Sequence, residues 1–243
     1  MHSKTGYSAI SRLVVASSGA FSVLVGLVVM VGWRFHNLTL IQVFPGFAPM
    51  QFNAALALAL GGGGLLLIVA GWRRSAQLPG LLAYTIGLLT LAEYSSDWGL
   101  GLDELFVDGY LNINTSHSGR MAPITASCFT LIGVALAMQA IRSLRWRGLI
   151  MGLLGSIVTA LSLVAFAGYF LGITTSLGWG QFTRMAIHTA ASLVLLGAAL
   201  ICLAWEESLA QGEQARQWMI VPLGCGRASA PPPPTRAPMS RRR

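Results

Sequence analysis

The chain has 243 residues, 54% of them hydrophobic and 10% charged, with a formal net charge of +8. Because an average soluble domain has about 25% charged residues, this composition excludes an ordinary soluble enzyme. The excess of Lys and Arg would suggest nucleic acid as the partner of a soluble protein, but membrane proteins collect these residues in their cytoplasmic loops. We therefore expect an integral membrane protein whose partner is the lipid bilayer and not nucleic acid.

Six apolar runs follow one another along the chain, and each predicts a transmembrane helix. About 20 residues are needed to cross the hydrocarbon core, and in lipid the backbone polar groups must bond within the segment. Five runs are long enough, and the shorter third run is expected to extend toward Trp98. The runs cover residues 13–33, 52–72, 78–94, 122–141, 149–171 and 185–205.

The second, fourth and sixth runs open with the same phrase, in which Met is followed by Ala five residues later and by Gly twelve residues later. Each is preceded by a run of the opposite direction, so the units predict three parallel two-helix repeats in a pseudo-threefold bundle. The small residues favour close helix packing. The three copies are Met50, Ala55 and Gly62; Met121, Ala126 and Gly133; and Met185, Ala190 and Gly197.

The loops indicate the orientation. Seven basic residues lie before the first run and in the loops after the second and fourth runs, against three in the opposite loops. This difference predicts that both termini are cytoplasmic in a bacterial inner membrane. Each outward run ends in an aromatic ring (Trp33, Tyr94 or Tyr169) that suits the outer interface.

The predicted regions are a cytoplasmic N-terminus over 1–12, a transmembrane domain over 13–205, a cytoplasmic linker over 206–217 and a tail over 218–243. The tail begins like a seventh helix and continues as a Pro- and Arg-rich segment that is expected to be disordered. Two interpretations stay open. The tail is a natural segment that contacts anionic lipid heads, or a disrupted reading frame has cut the seventh helix short.

Two arginines, Arg120 and Arg184, directly precede a phrase Met. Two interpretations stay open for them. They are anchors that bond lipid phosphates or the acidic residues of the outer loops. Alternatively, they form a guanidinium pair that binds an anionic ligand together with the positive ends of the helices. Glu93 ends the third run and is expected to need a partner, for which Arg120 is the candidate.

His188 lies one turn into the sixth run, where a hydrogen bond to Thr125 or Thr189 is expected. With His36 and His117 it also leaves a metal or haem site open, although no cofactor is predicted. The six runs contain no lysine for a retinal Schiff base, and the chain has no Walker motif, Cys-x-x-Cys motif or nucleophile elbow. The chain alone is therefore predicted not to be an enzyme.

Three segments resemble a known family: 45–55 with Pro-Gly and Met-Gln-Phe-Asn-Ala-Ala, 102–126 with Gly-Arg-Met-Ala-Pro, and 168–190 with Thr-Arg-Met-Ala-Ile-His-Thr-Ala. Over residues 10–224 the chain resembles the N-terminal membrane sensor module of bacterial multidomain histidine kinases and diguanylate cyclases, which often carry PAS domains. The first repeat departs from the pattern, with Ala54 in place of Thr and Pro49 in place of Arg.

The resemblance implies a signal-input domain that reads a small molecule or a membrane state, acts as a homodimer and continues into output domains, which are not found in this sequence. A second hypothesis is a small transporter or permease subunit, and a third is a haem-binding electron-transfer subunit.

Overall fold

The computed structural model describes residues 8–95, 119–141, 146–171 and 183–210, and this part of the chain contains only helices, turns and connecting segments. The prediction of an all-helical protein is therefore confirmed for these residues. Seven helices are found in them: α1 (Ala9–Arg34), α2 (Leu38–Ile41), α3 (Phe52–Val69), α4 (Gln77–Ser95), α5 (Pro123–Ala137), α6 (Arg147–Leu171) and α7 (Ile187–Ala210). One turn of 3₁₀ helix, Met138–Ala140, continues α5.

Five of these helices are long and apolar enough to cross a membrane: α1, α3, α5 with its 3₁₀ turn, α6 and α7. The third run forms a helix as well, α4, but this helix is not one of the five. Its sequence includes Thr85, Thr90 and Glu93, which lower its hydropathy. The membrane-protein character expected from composition is thus supported by five helices instead of six.

Local sequence explains where α3 ends, three residues before the end of its apolar run. Gly71 adopts a left-handed conformation with φ +88°. The N–H of Trp72 then bonds the carbonyl of Leu67 at 2.8 Å, and the N–H of Gly71 bonds that of Ile68 at 3.0 Å. This is a Schellman C-terminus, in which a glycine supplies the conformation that closes the last turn.

The short helix α2 is an element that the apolar runs do not predict. Its N-cap is Asn37, whose side-chain oxygen accepts the N–H of Thr39 at 3.1 Å. The segment packs against α1, because Gly32 lies close to Leu40 and Ile41. It carries the chain from the end of α1 back to the start of α3.

The six long helices are arranged with three of them inside. Three pairs of helices pack as hairpins with extensive contacts: α1 with α3, α4 with α5, and α6 with α7. Neighbouring hairpins contact each other through α3 and α4, α5 and α6, and α7 and α1. The helices α3, α5 and α7 also contact one another. In the apolar windows of α3, α5 and α7, 56%, 61% and 56% of residues are buried, against 33% in α1 and α6. The phrase-bearing helices are therefore the inner ones, and α1, α4 and α6 present large apolar side chains outward.

In each hairpin, two glycines bring the helix backbones into direct contact. An added Cβ would lie 2.6 Å from the facing carbonyl oxygen at Gly62, 2.6 Å at Gly133 and 2.8 Å at Gly197. Real Cβ atoms do not approach backbone so closely, so only glycine fits without the helices moving apart. The facing residues are Gly19 for Gly62, Gly80 for Gly133 and Gly155 for Gly197.

A second contact lies seven residues further along each outer helix. A Cβ at Gly26 or Gly87 would lie 2.6 Å from the carbonyl oxygen of the phrase alanine, Ala55 or Ala126 respectively. The corresponding residue of α6 is Ser162, which is completely buried. The outer helices thus carry a seven-residue spacing of small residues that matches the phrase on their partners.

Candidate functional site

The start of each inner helix is bonded to an aromatic ring at the end of its outer helix. In each outer helix, the donor ring lies seven residues after the second small residue, which is Gly26, Gly87 or Ser162. The acceptor is the main-chain carbonyl of the phrase methionine in the partner helix. The bonds join Trp33 Nε1 to Met50 O (2.8 Å), the Tyr94 hydroxyl to Met121 O (3.1 Å) and the Tyr169 hydroxyl to Met185 O (2.5 Å). We call these three bonds the ring latches.

The position of the rings at the outer membrane interface stays a prediction, and within the protein the rings are largely enclosed. Trp33 is only 1% exposed, and Tyr94 and Tyr169 are half-buried. A buried ring with a polar atom needs a hydrogen-bond partner, and the phrase carbonyl is that partner. The latches fix where the three inner helices begin.

A small cavity lies between the starts of α3, α5 and α7. It has about 190 Å³ of empty space including its open mouth, and its walls include the three phrase methionines. Its enclosed part has room for about one water molecule. Its polar lining residues are Gln51, Thr125, Thr183, Arg184 and Thr189.

Gln51 is the most unusual of these residues. It is 2% exposed, and neither its amide nitrogen nor its amide oxygen has a hydrogen-bond partner within the described part of the chain. Leaving a buried polar group unbonded costs about 1–3 kcal/mol. Buried polar groups are normally satisfied, so an amide of this kind indicates a place for a water molecule or a ligand.

The cavity has a positive electrostatic character. The N-cap residues of α3 and α5 are Gln51 and Ala122, and neither caps its helix with a side chain. The first N–H groups of a helix have no acceptor within the helix, and its start is equivalent to about half a positive charge. Arg184 adds a full charge, and the described residues that line the cavity include no acid.

Arg120, which the sequence pairs with Arg184, lies elsewhere. Its Nε is 3.8 Å from Oε2 of Glu93, and its guanidinium carbon is 5.2 Å from the centre of the Tyr94 ring. Both Arg120 (8% exposed) and Glu93 (3% exposed) are buried. The expected pairing of Glu93 with Arg120 is therefore present, and the cavity lining includes only Arg184 of the two arginines.

His188 does not make the hydrogen bond that was expected for it. Neither imidazole nitrogen has a partner among the described residues, and the cavity lining includes Thr125 and Thr189 but not His188. Within the described ranges, no three His, Cys, Asp or Glu side chains form a group that could hold a metal ion. His36 is exposed, and His117 lies outside the described residues.

Sequence reasoning missed Gln51, although the repeats contain a signal for it. Gln51 follows the phrase Met directly, where the other two copies have Ala122 and Ala186. Packing alone would favour a small apolar residue at all three equivalent positions, so the glutamine stands out. Comparison of the copies would therefore have selected it as a candidate.

At the opposite end of the bundle, the last turns of α7 are held by charged groups. The carboxylate of Glu207 accepts a hydrogen bond from Arg147 at the start of α6, and Nη1 of Arg73 is 3.8 Å away. The neighbouring Glu206 accepts a hydrogen bond from the hydroxyl of Ser11 in α1. We call these contacts of Glu206 and Glu207 the base clamp, because they join α7 to both of its outer neighbours.

Comparison with protein-family models, with curated proteins and with solved structures gives no match. The described residues define the class of protein, a helical protein with five helices able to cross a membrane. Any more specific function has to be argued from the cavity and the base clamp.

Proposed function

We propose that this chain is the membrane-integral signal-input domain of a bacterial sensor that acts in two-component or cyclic-dinucleotide signalling. The observation that carries the proposal is the position of α7, which begins beside the polar cavity and ends in the base clamp. An input domain has to link a site at one end to a movable element at the other. The chain itself supplies no chemistry in this proposal, and its output comes from domains joined to it, acting as a homodimer.

The proposed architecture is three parallel repeats around a pseudo-threefold axis. It is supported by contacts that recur in each hairpin: glycine against glycine, and a ring latch on the phrase methionine. It is also supported by the mutual contacts of α3, α5 and α7 inside a closed ring of helices. Equivalent contacts from equivalent positions are expected of repeated units.

The proposed orientation places the base clamp in the cytoplasm of a bacterial inner membrane. Arg12, Arg73, Arg74 and Arg147 lie at that end of their helices, whereas the cavity end has Arg34, Arg120 and Arg184. Basic residues in short loops favour the cytoplasmic side. The cavity then opens toward the outside, where an external signal arrives.

The proposed mechanism is a shift of α7 relative to its neighbours. A signal can shift an equilibrium only if it interacts differently with two states of the protein. If the first turns of α3, α5 and α7 separated at the cavity, Thr189 would change position. Because α7 is one continuous helix, it would carry that change to Glu206 and Glu207. Small shifts of packed helices of this kind are a known way to transmit signals.

The experiment that tests this function joins residues 1–217 to the dimerisation and catalytic domains of a histidine kinase and measures autophosphorylation in membranes. We expect Glu207→Gln to change the kinase activity, because it weakens the base clamp and alters the balance of the two states. The control is Leu163→Ala, which removes an outward-facing side chain that is 52% exposed. Equal activity of the parent, the Glu207 variant and the control would contradict the proposal.

A further inference from the structure

We infer that the cavity between the starts of α3, α5 and α7 is a binding site for a small free oxyanion, held by Gln51, Thr125, Thr189 and Arg184. The inference deepens the proposed function by naming the class of ligand, and it depends on that function only for the signalling consequence. Binding itself is argued from the cavity and is measured independently.

Four side chains bring hydrogen-bond donors to the cavity. The amide nitrogen of Gln51, the hydroxyls of Thr125 and Thr189 and the guanidinium of Arg184 line one small space. The guanidinium donates only, and the hydroxyls are free to rotate toward an acceptor. Helix starts add N–H groups that have no acceptor within the helix, although that of Ala54 in α3 is bonded by the side-chain oxygen of Asn53 at 2.8 Å. An oxyanion supplies the missing acceptors.

The unbonded amide of Gln51 indicates a polar occupant of the cavity. A helix start alone would be no more than a general electrostatic preference, but Gln51 is 2% exposed, lines the cavity and has no hydrogen-bond partner for either amide atom within the described ranges. The part of the cost of burying this unbonded amide that belongs to its nitrogen is recovered when a ligand accepts a hydrogen bond from it. The cavity is thus arranged for a polar occupant.

The charge of the described cavity lining favours an anion. Arg184 is the charged residue among the described lining residues, which include no carboxylate. Glu93 is the acid near this end in the described part of the chain, and it is held by Arg120. Three helix starts and a guanidinium favour an anion over a cation at this position.

The size of the cavity limits the size of the ligand, and its position indicates where the anion comes from. The enclosed space holds about one water molecule, so the ligand has to be small, and the helix starts have to separate slightly to admit it. The cavity lies among the three inner helices, which α1, α4 and α6 surround. A phosphate on a lipid headgroup would have to pass these outer helices, so a free oxyanion is the expected ligand.

The test uses the full chain, purified without phosphate and placed in nanodiscs of phosphatidylcholine. Sodium formate, nitrate and bicarbonate are the probes, titrated at constant ionic strength by calorimetry and by thermal unfolding. We expect saturable binding of at least one probe. Binding should weaken at least about tenfold in Gln51→Leu and in Arg184→Gln, because each loses a hydrogen bond to a charged group.

The matched control is Arg34→Gln, which removes an exposed arginine from the same end of the bundle and should leave the affinity unchanged. If either main variant fails to fold, as judged by helical circular dichroism, Thr125→Val and Thr189→Val replace it and should weaken binding in the same direction. The inference is overturned by an absence of saturable binding, by equal affinity in all variants, or by binding that appears only with phosphatidylglycerol.

The outcomes separate the ligand class from the proposed function. If an oxyanion binds but the kinase fusion ignores both the oxyanion and Glu207→Gln, the site stands and the input function is wrong. If Glu207→Gln changes kinase activity but no oxyanion binds, the input function stands and the ligand class is wrong.

Discussion

At its start, α7 lies beside a buried amide that has no partner in the described structure, and at its end its last two acids are bonded to α1 and α6. The polar groups at the two ends of this inner helix are therefore satisfied to different degrees. At the base clamp, charges are paired and tie α7 to its neighbours. At the cavity, the described lining holds a guanidinium and an amide that has no hydrogen-bond partner among the described residues. Paired charges at one end and an unbonded polar group at the other are what the proposed input function would require.

The largest effect should come from breaking the base clamp. Among the described residues, Arg147→Ala leaves the carboxylate of Glu207, which is 9% exposed, with the more distant Arg73 as its ion-pair partner. Removing one partner of a buried ion pair costs about 3–5 kcal/mol. We expect a loss near the lower limit, measured by thermal unfolding in detergent. Arg74→Ala, an exposed arginine of the same end, is the control, and an equal loss in both variants would contradict a specific clamp.

A smaller loss is expected where helix backbones touch. Gly62→Ala places a Cβ 2.6 Å from the carbonyl oxygen of Gly19, so α1 and α3 have to move apart. Overpacking of this kind costs about 1–3 kcal/mol. The neighbouring Gly63→Ala is the matched control, because nothing lies within 4 Å of its added Cβ. Its better helix propensity should leave stability unchanged or slightly higher, and a destabilised Gly63 variant would show that the contact is not the cause.

The cavity should respond with the opposite sign. Gln51→Leu replaces an unbonded buried amide by an apolar group of similar size, which we expect to raise the free energy of unfolding by about 1 kcal/mol in the absence of oxyanions. The same thermal unfolding measurement detects this gain. A loss of stability in the Gln51 variant would mean that the amide is already bonded and would remove the main argument for a ligand.

The smallest effect should come from a ring latch. Tyr169→Phe keeps the ring and removes the hydroxyl that donates to Met185 O. The loss should be about 0.5–1.5 kcal/mol, the usual net contribution of one hydrogen bond. Phe170→Leu, at a side chain that is 73% exposed, serves as the control for aromatic substitution in the same turn. A stability unchanged in Tyr169→Phe would contradict the latch.

The helices could be predicted because length and hydropathy decide them locally. All six apolar runs are helical in the described structure, and the phrase glycines lie at close backbone contacts as small residues in lipid are expected to do. The membrane orientation and the three-repeat symmetry stay predictions. The short α2 was missed because one turn of helix leaves no periodic pattern, although its cap, Asn37, is visible in the sequence.

The composition of the cavity could not be predicted in the same way. Arg120 and Arg184 have nearly the same local sequence, but in the described part of the chain only Arg120 has an acid beside it, because the last turn of α4 has Glu93 where α6 has Gly168. Which arginine lines the cavity is therefore decided by a neighbouring helix. Whether Gln51 is bonded likewise depends on tertiary surroundings that no local pattern contains.

The ring latches have a consequence for how such a bundle can diversify. Each ring bonds a main-chain oxygen, so the bond does not depend on which side chains flank the methionine. The residue before the methionine is Pro49 at the first start and an arginine, Arg120 or Arg184, at the other two. The scaffold that positions the three helix starts is thereby separated from the residues that would select a ligand. Pro49 and Arg184 line the cavity, so substitutions there would change the ligand selected by the proposed site while the register of the bundle is kept.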